Sequence, residues 1–163
     1  KLKVVELSEE EKLIAEGENA TIEFKSTLRW NLHADKADKA MEHSVLKTVV
    51  AFLNSDGGTL LIGIEDDGNI IGIEADNFNN DDKFLLHFGN LVNDKIGKQY
   101  ADQIRWKLIY LRNNNILRVD CSASSTPVFL QTKDGEEFYI RSGPATVQLS
   151  TSEVLAYSRR HFR

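Results

Sequence analysis

The segment Gly57-Gly58-Thr59-Leu60-Leu61-Ile62-Gly63-Ile64-Glu65-Asp66-Asp67-Gly68 is an apolar run entered through two glycines and left through an acidic turn. Thr59 to Ile64 predicts a strand. Just upstream, Ala37 to Asn54 places Met41, Val45, Val49, Phe52 and Leu53 at helical spacing. That pattern describes a helix with one face on a sheet. Asp56-Gly57-Gly58 ends the helix and turns the chain into the strand. A phosphate-cradling glycine loop runs from strand to helix, the reverse order, and no Gly-Lys-Ser/Thr or G-x-G-x-x-G motif is present. A helix C-cap followed by a tight turn accounts for both glycines. Downstream, Asp66-Asp67-Gly68-Asn69 is turn chemistry between apolar runs, so Leu60 to Ile64 and Ile70 to Ile73 are expected to pair as a hairpin.

Further out, Ser8 and Glu11 have the form of a capping box opening a short helix from Glu9 to Glu16. Ala20 to Lys25 alternates as a strand with one buried face, and Leu28 to Asp35 reads as a loop carrying Arg29, Trp30 and His33. Asn80-Asp81-Asp82 starts a second long helix that Gly97 closes. The last third predicts strands at Ile104–Leu111, 116–121, 128–131 and 136–141, then a final helix opened by Ser150 and Glu153. Helices interspersed with hairpins predict an α+β fold: a single domain over 1–163, with a mixed or mainly antiparallel sheet, two main helices packed on it and short terminal helices.

The chain of 163 residues is long enough to bury a core without disulfides or structural metal. Its net charge of −5 argues against coating nucleic acid by bulk attraction, so any such contact needs a local basic patch. The single cysteine, Cys121, reads as a buried strand thiol of a reducing compartment. No apolar run is long enough to span a bilayer and no signal-peptide pattern opens the chain, so a soluble, cytoplasmic protein without membrane contact is expected. A start at Lys1 rather than Met suggests a piece of a longer polypeptide whose other domains are its partners.

Carboxylates near the glycine-led strand suggest a site. Hard cations such as Mg or Mn prefer carboxylate oxygens, and phosphodiester cleavage uses a metal to orient water and offset charge. Glu18, Glu23 and Asp66 are the acids expected to converge, provided the two strands are neighbours and the chain bends near Gly17-Glu18-Asn19. The competing reading leaves them solvated at turns and strand edges. Lys25 and Arg29 are positioned to hold a phosphate backbone, Trp30 to stack on a base, and Arg141 either to fix a phosphate or to close an ion pair. Lys36, Lys39 and Lys47 are also near in sequence, and the plainer account makes them a solvated helix face. The four histidines show no zinc spacing, and Ser26 and Ser44 have no nucleophile context.

Four motifs together, Glu18-x-x-x-x-Glu23-Phe24-Lys25, Ala51-Phe52-Leu53-Asn54-Ser55, the Gly57 to Gly68 segment, and Tyr139-Ile140-Arg141-Ser142-Gly143, resemble the Schlafen-type, AlbA-like nucleic-acid-binding domain family. The resemblance runs from about Glu16 to the final helix. It implies an α+β module often fused to other domains and binding DNA or RNA. In animal Schlafens the related core is a metal-dependent endoribonuclease on structured RNA, notably tRNA. Its three-carboxylate site, carried over position by position, falls on Glu18, Glu23 and Asp66. Those enzymes join two lobes into a clamp, so an equivalent groove here implies a homodimer. The alternative is a non-catalytic module recognising nucleic acid or protein for enzymatic domains of the parent chain.

Overall fold

The two glycines sit where three elements crowd together. In the computed structural model, which describes residues 6–162, strand β4 (Gly58–Ile62) follows helix α2 (Lys39–Leu53) almost directly. A Cβ on Gly57 would lie 2.6 Å from the Cys121 carbonyl oxygen, and one on Gly58 would lie 2.6 Å from the Phe52 ring and 2.8 Å from the Thr21 carbonyl oxygen. Gly57 also has φ +77°, which L side chains resist. Strand β4 can therefore start this close to the end of α2 only because neither position has a side chain.

Strand β4 is the centre of a four-stranded sheet ordered β1, β4, β6, β5, with β1 Ile22–Lys25, β5 Ile104–Leu111 and β6 Asn114–Cys121. It runs parallel to β1, with Glu23 opposite Leu60, and antiparallel to β6. Both of its edges are thus occupied. This is why the expected hairpin shrinks to one bridge, Ile64 to Ile70. The turn itself forms, with Gly68 N–H donating to the Glu65 carbonyl at 2.8 Å. The chain then leaves through a 3-10 turn, Ile73–Asp76.

The parallel pair β1 and β4 needs a crossover, and α2 supplies it. Helix α2 and helix α3 (Asp81–Lys95) bury Val45, Val49, Phe52, Phe84, Phe88 and Val92 on one face of the sheet, against Leu60, Ile62, Leu117 and Val119. Helix α1 (Glu9–Glu16) lies on the other face, where Leu13 and Ile14 cover Ile22, Phe24, Leu61 and Ile116. Ser8 and Glu11 form the capping box at its start, and Ser150 and Glu153 repeat the device for α4 (Thr151–His161). The fold is α+β as expected, its sheets antiparallel except for β1 with β4.

Three local expectations are corrected. Strand β1 begins at Ile22, because Asn19 Oδ1 accepts from Thr21 N at 2.8 Å and folds the chain back on itself. The expected loop after Leu28 contains a small hairpin, β2 (Trp30–Asn31) with β3 (Lys36–Ala37). A second antiparallel sheet has three strands, β7 (Leu130–Thr132), β8 (Gly135–Ser142) and β9 (Ala145–Leu149). Strand β9 is not among the expected strands, although Ala145, Val147 and Leu149 alternate with Thr146 and Gln148; it is a short, largely exposed edge. No described helix is long and apolar enough to cross a membrane.

Candidate functional site

Glu18 and Glu23 do come together. The backbone turn at Asn19 brings Glu18 back alongside β1, where its Oε1 accepts from Phe24 N at 3.2 Å. Glu23 is 8% exposed, with Oε1 3.8 Å from Lys25 Nζ and 3.6 Å from Arg141 Nη1. Its other oxygen, Oε2, is buried without a hydrogen-bond partner. Burial, and then the Glu18 carboxyl close beside it, push the Glu23 carboxyl up to about 7. Lys25 and Arg141 pull the other way and are outweighed, because taking a carboxylate out of water costs more than partners at these distances return.

Asp66 does not join them. It is exposed in the turn beyond β4, well past Leu60, the residue that faces Glu23. Among the described residues no group of three His, Cys, Asp or Glu side chains is arranged to hold a metal ion. The pair Glu18 and Glu23 supplies two acids with a single buried oxygen left over, and two cations already stand beside it. These residues do not fit a three-carboxylate centre for Mg or Mn.

The four residues expected to meet a nucleic acid divide differently. Arg141 is internal, its side chain 2% exposed. It donates to the carbonyls of Asn19 (2.6 Å) and Ala20 (3.4 Å) and to Thr146 Oγ1 (3.0 Å), with its guanidinium over the Phe52 ring. Arg29 is committed to the carbonyls of Asp76 and Asn77, both at 3.0 Å, and stacks 3.6 Å above the Phe78 ring. Both arginines hold the fold rather than offer themselves to a ligand. Lys25 is partly accessible and donates to Ser44 Oγ of α2 at 2.9 Å. Trp30 stands half-buried on the β2–β3 hairpin, its indole Nε1 donating to Asp35 Oδ1 at 3.2 Å.

The lysines that the sequence allows to be a plain solvated face form a more ordered group. Lys39, His43 and Lys47 recur every fourth residue, which aligns them along one flank of α2. Lys36 of β3 stands near the N-cap Asp38 at the helix start, and Lys25, through Ser44, brings an ammonium to the helix one turn before Lys47. His43 Nε2 bonds Glu137 Oε1 at 2.8 Å, and that contact is the main reason the Glu137 carboxyl is held below its usual range. The four-residue period is the signal along the chain that marks this row.

Residues 18–150 match the family model described as Schlafen, AlbA_2. The chain belongs to that family. The match takes in the Glu18 and Glu23 pair, the glycine-led strand and Arg141, while α1 and α4 lie outside it. The fold of this Schlafen, AlbA_2 domain recurs in solved structures. It resembles the DIP2311 protein from Corynebacterium diphtheriae, with a TM-score of 0.60 and 18% identity over 87% of this chain. The chain spans 27% of that protein. It also resembles the N-terminal domain of a RecG-related protein from Nitrosomonas europaea, with a TM-score of 0.52 and 22% identity, covering 80% of this chain and 85% of that domain.

Two family motifs explain each other in the structure. Asn54 Nδ2 donates to the carbonyls of Val128 and Tyr139, and its Oδ1 accepts from Val128 N. Ser55 Oγ accepts from Arg141 N at 2.9 Å. The Asn54-Ser55 pair therefore clamps the Tyr139-Ile140-Arg141 strand onto the end of α2.

Proposed function

We propose that this Schlafen, AlbA_2 domain is a nucleic-acid-binding module that grips phosphates along the flank of α2. The observation that carries the reading is the row of Lys36, Lys39, His43 and Lys47 with Lys25 beside it, on a chain whose net charge is −5. Phosphate binding releases counterions and needs lysines that are free to move to the strand, which an aligned helical row provides. Trp30 on the neighbouring hairpin adds an aromatic surface. The fold shared with the N-terminal domain of a protein described as DNA helicase RecG-related agrees with a binding module that serves enzymatic domains elsewhere in a longer chain.

Metal-dependent RNA hydrolysis is the finer alternative that the family suggests, whereas in this reading Glu18 holds the Phe24 N–H and Glu23 stays buried beside Lys25 and Arg141. One titration decides between them. Labelled tRNA, single-stranded RNA and duplex DNA are each titrated with the domain by fluorescence anisotropy, and the tRNA is then incubated with Mn. The expected result is salt-dependent binding that Lys36→Glu, Lys39→Glu and Lys47→Glu together abolish, with intact tRNA throughout. Binding that ignores these three changes would sink the proposed surface. Cleavage lost in Glu23→Gln would make the domain a hydrolase.

A further inference from the structure

An apolar cleft of about 300 Å³ opens between α2, α3 and β7. Its floor is aliphatic, built from Leu46, Leu91 and Leu130, and the rings of His43 and His87 stand at its sides. The histidines are not idle: His43 is bonded to Glu137, and His87 Nε2 meets Glu42 Oε2 at 2.5 Å, so the one carboxylate in the lining is turned to a neighbour. Lys39 and Lys95 flank the opening, and neither side chain has an ion pair or hydrogen bond among the described residues. Gln131 and Thr132 bring the remaining polar groups to the rim.

The cleft is continuous with the α2 flank, because Lys39 and His43 belong to both. Its volume is at the small end of the range for sites that take compact organic ligands. An occupant must therefore combine a small apolar body with negative charge close by. A duplex keeps its bases stacked inside and offers this surface only phosphates and groove edges. A single strand can turn one base inward while its backbone stays on the lysines.

We infer that this cleft receives one unstacked base of a strand bound along α2, so that the domain selects single-stranded or looped nucleic acid over duplex. The inference rests on the nucleic-acid reading above and deepens it. In the bound state the phosphates on either side of the inserted base sit against Lys39 and Lys95, and the base edge meets Gln131 and Thr132.

The test uses three labelled oligonucleotides of equal length: a mixed-sequence single strand, its duplex, and a strand whose sugars carry no bases. Anisotropy titrations should show the intact single strand binding at least about tenfold tighter than either of the others, a difference of ~1.4 kcal/mol. Leu91→Gln, which keeps the size of a half-buried side chain and removes its apolar character, should narrow that gap. Lys12→Ala, on α1 across the sheet, should leave it intact. Equal affinity for intact and baseless strands overturns the inference, whether or not the Leu91 variant folds, and assigns the cleft to some other occupant such as a peptide. Absence of salt-dependent binding to all three strands overturns the underlying nucleic-acid reading, and the inference with it.

Discussion

Asp76 lies outside every motif the sequence singles out, yet it organises a whole segment of the chain. It is fully buried, and its carboxylate accepts from the backbone N–H groups of Leu28 (2.8 Å), Arg29 (2.7 Å) and Trp30 (3.0 Å). The chain between β1 and the β2–β3 hairpin is thus folded around one side chain. Asp76→Ala removes the acceptor from all three donors, and each buried orphan costs about 1–3 kcal/mol. Chemical denaturation should show a loss of about 3 kcal/mol or more, with the hairpin carrying Trp30 released first in hydrogen exchange. Glu23 makes the opposite kind of demand. Its carboxyl sits at about 7 in the folded domain against 4.5 unfolded, so the folded state holds the proton more tightly. The stability that this proton contributes is fully present below about pH 4.5 and is lost as pH rises through 7. Thermal melts should therefore show wild type weakening between pH 5 and 8 and Glu23→Gln nearly flat over the same interval. A variant that is markedly less stable than wild type at pH 8 would mean that the ion pairs with Lys25 and Arg141 outweigh burial.

Helices α1, α2, α3 and α4 are legible in the amino-acid order alone, because caps and periodicity act within a few residues. Ser8 with Glu11, Asp38 before α2, Asn80 before α3 and Ser150 with Glu153 each satisfy N–H groups of the turn they start. Strand pairing is less legible. The turn at Gly68 forms where its residues place it, yet the strand expected after it does not, since β1 and β6 take both edges of β4. The glycine pair belongs to this scale too. Gly58→Ala would put a methyl group 2.6 Å from the Phe52 ring and 2.8 Å from the Thr21 carbonyl. Overpacking of this kind costs about 1–3 kcal/mol and should appear as a lower melting temperature with an unchanged circular dichroism spectrum. An Ala variant as stable as wild type would show that β4 and α2 have more room than the contact distances allow.

Across the whole molecule both signs of charge occur on each face, and Glu42 and Glu137 stand on or beside the α2 flank itself. The acidic first turn of α1, Glu9, Glu10 and Glu11, pairs with Arg118 and Arg112 on one side of the sheet, while the lysine row lies along α2 on the other. Net charge therefore hides a local surplus, and affinity for nucleic acid should follow the row rather than the total. If Lys36, Lys39 and Lys47 each hold one phosphate of a single strand, the plot of log affinity against log salt should lose about 2 from its slope when all three are replaced by Ala. A slope that does not change would place the contacts elsewhere. Local chemistry along the chain is enough to settle the helices, the glycine-led strand, the α+β class and the family, since each rests on residues close in sequence or on motifs in a set order. The packed fold alone settles which charges are available. Glu18 meets Glu23 through a backbone turn, Asp66 is carried away by the course of β4, and Arg141 is consumed by Asn19 and Ala20 from the far end of the chain. The partners of Arg141 lie more than a hundred residues away along the chain, and nothing in the residue itself or its neighbours announces them.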